Sequence, residues 1–515
     1  MNLNRRNFLF GSAAATALAG CTTEKIGVRP LKPGEKRRVA MIGYGIQMRT
    51  ALLPSFLGKA KGTADVPKHV TVVAVCDCDK VRREAGKKAV DECYGNTNCK
   101  AVADFRDILK DPSIDAVCIA TPDHWHAYMA VEAMKNGKDV YCEKPLTFCV
   151  DEAKKVIAAQ KKYDRVFQTG SMQRSWDVFR TAVMIVRNGF IGDVMYVDAN
   201  YGRGGEKLGG PSHPFRFFDE PKNAAKEGAP NKDVDWNMWL GPAKWRPYSD
   251  QLAPRGVNEF YPMFWRFDDD IGTGYNGDWG AHHLDIAQWG LDMDHGGPFK
   301  IIPSEEPYSD NLFHGGRRQF GMKMLFKKPY GIVELYHGPF GVITGTGGWG
   351  TVFYGTKGIV AVNRGKIAVW EGAGVKPTLE IRKQLEDVSF KGMALVAASV
   401  GKDYGTDATV KKDDALDKTL AALKKRYNLD KAPLQLYKSS NQILNFVECI
   451  ESRKPTISPA EVGGRGAILC QLCNMSYVYD TGFDWDPEKN DFAGENKLGI
   501  PLKRDVYRNG WEVVV

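Results

Sequence analysis

Lys144 stands at the carboxyl end of an apolar run, Asp139-Val140-Tyr141-Cys142, inside the tripeptide Glu143-Lys144-Pro145. In open α/β sheets the ligand crevice lies outside the carboxyl ends of the strands, so a lysine placed there meets what the crevice holds. Earlier in the chain, Gly43-Tyr44-Gly45-Ile46-Gln47 follows another apolar run, Arg38-Val39-Ala40-Met41-Ile42. Glycines at this place allow a tight turn. They let backbone N–H groups, with Ile46 and Gln47 opening the next helix, approach a phosphate. The third glycine of the usual fingerprint is replaced by Met48. Asp77 closes the next apolar run, where a carboxylate can hold both hydroxyls of a ribose and would repel a 2′-phosphate. The pattern points to a dinucleotide, NAD in preference to NADP. Far along the chain, Asp278 and His282 are four residues apart at the start of a helical pattern and share one face. The helix N-terminus stabilises the aspartate anion. Imidazole, with an ordinary pKa of ~6.5, accepts a proton near neutral pH. A lysine, a carboxylate and an imidazole beside a dinucleotide are the parts needed to take a proton from an alcohol oxygen while hydride leaves its carbon.

The elements that must position these groups alternate. Strand-like runs at Arg38–Ile42, His69–Val75, Ala116–Ala120, Val140–Cys142 and Val166–Gln168 are separated by helical patterns, including Arg82–Cys93, Trp125–Asn136 and Asp151–Tyr163. Such alternation implies a parallel, doubly wound sheet with right-handed crossovers. After about residue 175 the pattern changes. A helix at Phe179–Asn188 and a β-rich run at Val194–Tyr201 precede an irregular, aromatic stretch over 202–270. Met322–Phe326, Gly331–Leu335, Thr351–Tyr354 and Gly358–Val362 read as antiparallel strands, 375–435 as a Lys-rich surface insertion, and Ile443–Ile450 and Arg465–Val478 as helices returning to the core. The expected fold is α/β. A Rossmann dinucleotide-binding domain would span 37–175, and a C-terminal α+β domain with a large, mostly antiparallel open sheet would span 176–515.

Three segments, Thr121-Pro122-Asp123-His124-Trp125-His126, Gly137-Lys138-Asp139-Val140 and Glu143-Lys144-Pro145, resemble in order and spacing the Gfo/Idh/MocA oxidoreductases, which include glucose–fructose oxidoreductase and inositol dehydrogenases. The run Gly277-Asp278-Trp279-Gly280-Ala281-His282-His283-Leu284-Asp285 resembles that family's catalytic helix. Asp123 departs from the family's usual asparagine. The resemblance places Thr121, Pro122, His126, Glu143 and Lys144 at the cofactor, with Gly43, Gly45, Ile46, Gln47 and Asp77. It places Lys144 also at the substrate hydroxyl, makes His282 the general base, and has Asp278 position substrate or base. His283 lies roughly 100° further around the helix and would exchange roles only if the register shifted by one. Arg174, shortly after the run Val166–Gln168, either reaches nicotinamide or substrate or forms a structural salt bridge. The implied activity is oxidation or reduction of a secondary hydroxyl of a sugar, glycoside or polyol with tightly held NAD. Some relatives instead oxidise C3 of a glycoside, eliminate the aglycone and restore the ring, so that the net reaction is hydrolysis. A sugar-binding lipoprotein without catalysis is the third reading. The family's habit of dimerising through the open sheet implies a homo-oligomer, a dimer or tetramer.

The remaining features set bounds. The 515 residues suffice for two or three domains. The net charge of +9 is spread without a block of like charge, so no nucleic-acid partner is expected. Arg5-Arg6-Asn7-Phe8-Leu9, the apolar run to Gly20, and Leu18-Ala19-Gly20-Cys21 resemble a twin-arginine export signal ending in a lipoprotein cleavage site. They imply a periplasmic protein, lipid-anchored at Cys21, with 22–36 as tether. Adjacent His282 and His283 cannot easily face one ion, so no metal is expected. Cys470-Gln471-Leu472-Cys473 reads as core, and Cys93 and Cys99 flank a loop across which they could pair. Asp268-Asp269-Asp270 reads as an acidic, solvent-facing turn, with a glycosidase carboxylate pair as the alternative. Trp236, Trp239, Trp245, Tyr248, Tyr261 and Trp265 offer faces for stacking on a sugar ring, about half of them expected in the core.

Overall fold

β1 (Arg37–Ile42), β2 (Val70–Cys76), β3 (Lys100–Val102), β4 (Ala116–Ile119), β5 (Asp139–Cys142) and β6 (Phe167–Thr169) form a six-stranded sheet in the order β3-β2-β1-β4-β5-β6. Every pair in it is parallel. The composition of the strands explains this. All four residues of β4 and of β5 are buried, as a strand covered by helices on both faces requires. Ala40, Val117 and Val140 enter one core while Met41, Cys118 and Tyr141 enter the other. Strand order reverses between β1 and β4, so the turns after β1, β4 and β5 open on one crevice. The structure, a computed structural model, describes residues 26–201, 225–259, 263–303, 322–338, 349–386, 388–399 and 414–515. The export signal, Cys21 and Tyr261 lie outside the described residues.

The second sheet has ten strands: β7 (Val194–Tyr201), β8 (Lys300–Pro303), β9 (Met322–Lys328), β10 (Gly331–Gly338), β11 (Trp349–Gly355), β12 (Gly358–Asn363), β13 (Lys366–Glu371), β14 (Ala394–Ser399), β15 (Phe483–Asp486) and β16 (Asp491–Phe492). Their order is β14-β13-β12-β11-β7-β10-β9-β8-β15-β16, and β7 with β10 is its parallel pair. One face packs on helices Asp177–Arg187, Ala281–Gly290 and Ala460–Val478 through residues such as Val183, Leu284, Leu469, Val197 and Phe353. The other face is partly covered by the region expected to be a surface insertion. Leu385, Phe390 and Met393 pack on Val352, Ile359 and Trp370, and the buried Arg382 guanidinium donates to Asp198 of β7 at 3.0 and 2.8 Å. Lysine-rich composition concealed this apolar side, and β14 extends the sheet from the same region.

The chain then returns to the first domain. Helix Gln442–Ser452, capped by Asn441, places Ile443, Phe446 and Val447 in the core beneath β1 and β5. Trp511 and Val513 join the opposite core. The two domains are therefore fastened at several points. Among the described residues no helix is long and apolar enough to cross a membrane.

Candidate active site

The crevice at the ends of β1, β4 and β5 is an open cleft. Gly43, Gly45, Ile46, Gln47, Asp77, Thr121, Pro122, His126, Glu143, Lys144 and Asp278 all line it. Gly43 has φ +85°, and a Cβ there would come within 2.7 Å of the Ala120 carbonyl oxygen, so only glycine fits between β1 and β4. Gly45 has open space beside it, with only Glu259 Oε1 within 4 Å of the place a Cβ would take, at 3.8 Å. Met48 is fully buried and opens a π-helical turn, Met48–Leu52, a wider winding where the third glycine is missing. Asp77 accepts the Tyr44 N–H at 2.7 Å and the Asp79 N–H at 2.9 Å, which ties the glycine turn to the end of β2. Burial raises the Asp77 pKa, and nearby Arg82 opposes the rise. Arg83 donates to the Asp77 carbonyl at 3.3 Å and Arg82 to the Pro254 carbonyl at 2.9 Å. A phosphate-sized cradle bounded by glycines, a carboxylate at the ribose position and the partnerless buried Thr121 hydroxyl suit a dinucleotide.

At the other end of the cleft the Glu143-Lys144-Pro145 turn meets the helix expected to be catalytic. Lys144 Nζ donates to the Asp278 carbonyl oxygen at 2.7 Å and to its carboxylate at 2.9 Å. Arg266, 3.4 Å from the same carboxylate oxygen, also lines the cleft. Gly277 permits this approach, since a Cβ there would lie 3.1 Å from Pro145 and collide with Thr273. Glu143 is buried and accepts from Gln47 Nε2 at 3.2 Å and Tyr141 at 3.3 Å, while desolvation raises its pKa. A Gly170 Cβ would fall 2.7 Å from that carboxylate, so Gly170 gives it room. Asp123 also borders the cleft and is tied to Thr273, accepting its N–H at 3.0 Å and its hydroxyl at 2.7 Å. Burial raises the Asp123 pKa, against the pull of His126, Arg266 and Lys144.

Asp278 lies in a π-helical turn, Asn276–Gly280, which runs into helix Ala281–Gly290. His282 is 7% exposed and packs edge-on to Trp279, set back from the cleft-lining residues. Its pKa is pushed well below the ordinary value by burial first, then by the Lys144 and Arg364 charges. His283 faces elsewhere. Its Nδ1 lies between the Asn200 carbonyl and the Gly350 N–H, on the sheet, and burial lowers its pKa to about 3.

One expected cofactor contact needs correction, and a second takes a structural part as well. Arg174 is 1% exposed and outside the cleft. Its guanidinium donates to Asp285 at 2.8 Å through Nε and Nη2, and to Asp294 at 2.8 and 2.7 Å, so the salt-bridge alternative holds. His126 borders the cleft, but its ring nitrogens lie 2.7 Å from the Pro145 and 2.9 Å from the Thr121 carbonyl oxygens. It joins the ends of β4 and β5 while keeping its place in the wall of the cleft. The acidic turn faces solvent at Asp269 alone. Asp268 is fully buried and paired with Arg246, and Asp270 accepts from Arg504 at 2.7 Å. Cys93 and Cys99 are free thiols, and Cys470 and Cys473 are buried in a helix.

Residues that the sequence patterns did not single out complete the wall. Met238, Leu252, Pro254, Glu259, Met263 and Arg266 line the cleft from the irregular stretch, with Trp239 and Trp265. Gly241, at φ +50°, lets Trp239-Leu240-Gly241-Pro242 lie directly on Trp125, whose indole N–H donates to the Trp239 carbonyl at 3.1 Å. Trp236 stacks on Trp239 at 4.7 Å, whereas Trp245 is exposed.

Residues 37–171 match the model of the Gfo/Idh/MocA oxidoreductase family's NAD-binding Rossmann fold, and residues 209–317 match that family's C-terminal alpha/beta domain. The chain belongs to the Gfo/Idh/MocA oxidoreductase family. Its N-terminal domain is an NAD-binding Rossmann domain. Uncharacterized oxidoreductase YrbE of Bacillus subtilis (strain 168) is 41% identical over 90 residues, which is 18% of this chain and 26% of that protein. A glycosyl hydrolase family 109 protein of Saccharopolyspora erythraea is 33% identical over 215 residues, 38% of this chain and 44% of that protein. The chain thus spans less than half the length of these curated relatives. Among solved structures, an oxidoreductase domain protein from Kribbella flavida has a TM-score of 0.50 at 17% identity, covering 87% of this chain and 99% of that one. The apo form of levoglucosan dehydrogenase has a TM-score of 0.50 at 16% identity, covering 88% and 99%. These two are likenesses of fold.

Proposed function

We propose that this family member is an NAD-dependent oxidoreductase acting on a secondary hydroxyl of a sugar, glycoside or polyol. The observation that carries the reading is the pairing of Lys144 Nζ with Asp278 at the end of a cleft whose other end is the glycine turn. Trp239 and Trp265 add flat apolar walls, which suit the C–H faces of a sugar ring. Bound NAD would supply the hydride acceptor. Lys144 holds the substrate oxygen through a charged hydrogen bond that strengthens as negative charge builds on that oxygen. Asp278 and Arg266 fix where the ammonium points. His282, kept neutral by burial and by the flanking cations, accepts the proton. NADP is disfavoured because the Asp77 carboxylate at the end of β2 would repel a 2′-phosphate.

The second reading is NAD-assisted glycoside cleavage through a 3-keto intermediate, and the glycosyl hydrolase family 109 relatives support it. The same Lys144 and His282 would serve both. Purified protein incubated with a nitrophenyl glycoside and no added NAD separates them. Free nitrophenol without net NADH establishes cleavage, and NADH accumulation with added NAD and no nitrophenol establishes simple oxidation. Absence of both, with Lys144→Ala and His282→Ala indistinguishable from wild type, leaves a sugar-binding protein. Export by the twin-arginine route, with lipid on Cys21, is part of the proposal and rests on the sequence at Arg5-Arg6 and Leu18-Ala19-Gly20-Cys21. Export in the folded state would carry NAD out with the protein, and a captive cofactor must be regenerated in place.

A further inference from the structure

Glu259 brings a carboxylate to the end of the cleft where a dinucleotide's anionic groups belong. Its Oε1 lies 3.8 Å from where a Gly45 Cβ would stand, so it faces the turn whose open space suits a phosphate. The side chain is 3% exposed. Arg49 Nη2 is 2.9 Å from its Oε2, and Arg82 Nη1 is in direct contact with its Oε1. Arg49 belongs to the helix that follows the glycine turn, and Arg82 to the first turn of helix Lys80–Tyr94 after Asp77. Two guanidinium groups from the Rossmann domain therefore flank the turn and converge on one carboxylate. That carboxylate belongs to the segment walling the cleft from the opposite side, which also pairs with the domain through Asp79 and Val234 and through Lys80 N–H to Asp233 O at 2.7 Å. Guanidinium binds carboxylate and phosphate with the same planar donor geometry. A carboxylate and a phosphate cannot share this place without strong repulsion.

We propose that Arg49 and Arg82 form a subsite for a phosphate of the dinucleotide, and that Glu259 is its internal occupant, displaced when the cofactor binds. Glu259 keeps two partly buried cations satisfied while the clasp is closed. It also subtracts from cofactor affinity, because only molecules with the clasp released accept the phosphate. The same displacement would free the 225–259 wall to resettle around bound cofactor. The inference rests on NAD binding at this cleft and not on the substrate or direction of the reaction.

Nucleotide-free full-length protein tests it, with binding followed by fluorescence of Trp239 and Trp265 and by calorimetry. Glu259→Gln keeps the shape and removes the charge. It is expected to bind NAD and ADP-ribose about tenfold more tightly than wild type, with adenosine binding unchanged. Arg49→Gln is expected to weaken NAD and ADP-ribose about tenfold and to leave adenosine alone. Unchanged or weaker NAD binding by a Glu259→Gln protein that melts like wild type overturns the assignment. An equal gain for adenosine overturns it too, because steric opening and not phosphate exchange would then be the cause. If wild type and variants bind neither NAD nor ADP-ribose, the cofactor reading falls and takes the subsite with it.

Discussion

The two ends of the cleft are built differently. At the glycine turn the backbone sets the shape, with charged side chains around it: Asp77 accepts the Tyr44 N–H, and Gly43 lets β1 pass the Ala120 carbonyl. At the Lys144 end the side chains face the ligand and hold one another: Lys144 on Asp278, Arg266 on Asp278, Asp123 on Thr273. The parts of the turn all belong to the Rossmann domain. The charged end joins Lys144 to Asp278 across 134 positions of chain and exists only when both domains are assembled. The glycine turn should therefore respond to changes in backbone shape beyond any effect of the charges around it, and the Lys144 end to changes in charge.

The largest effect belongs to the charged end. Lys144→Ala is expected to lower single-turnover rate about a thousandfold while changing NAD affinity less than tenfold, because a donor to a developing oxyanion typically contributes about 10²–10³-fold. Rapid-mixing kinetics and a separate cofactor titration read the two quantities. Equal losses in both would erase the contrast by making Lys144 a cofactor anchor. Asp268 sharpens the contrast further. It supports the loop that leads to the catalytic helix, and burial pushes its pKa up to about 6 despite the Arg246 partner. The unfolded carboxyl titrates near ~3.9. Between these values the folded protein retains a proton that the unfolded chain releases, so this group's contribution to stability is full below pH ~4 and is lost as pH rises through about 6. The stability of wild type relative to Asp268→Asn should fall by about 3 kcal/mol over that window and then level. Urea unfolding of the pair across pH measures it, and parallel curves would show that the loop is not desolvated.

How much of this was legible follows the same division. Gly43, Gly45, Asp77 and the Glu143-Lys144-Pro145 turn were readable because strand ends and turn glycines leave local marks. Lys144 and Asp278 were each readable, but their 2.9 Å contact was not, since nothing in either segment encodes the distance between domains. Arg174 stood undecided because its partners, Asp285 and Asp294, lie more than a hundred residues away. Glu259 and Arg266 were missed because the irregular stretch around them has no periodicity, and a charged residue among aromatics there looks like any loop charge. Region 375–399 was misread for a related reason. Its lysines dominate the composition, while Leu385, Phe390 and Met393, which cover the sheet, are too sparse to show a period.

The smallest effects test the backbone end, and they come from two glycines that share one motif. Gly43→Ala places a Cβ 2.7 Å from a backbone carbonyl oxygen at a positive φ, so the strain falls on the empty protein. Its melting temperature should drop, with a loss of about 2 kcal/mol, and NAD affinity should fall with it. Gly45→Ala places its Cβ in open space, with its nearest neighbour, Glu259 Oε1, at an ordinary 3.8 Å. That variant should melt like wild type and still bind NAD about tenfold more weakly, because the methyl group stands where a phosphate must approach the backbone. Scanning calorimetry with and without NAD separates the two. If Gly45→Ala lost stability without losing affinity, the open space beside it would be part of the fold, and the glycine turn would no longer be the end of the cleft that answers to its ligand.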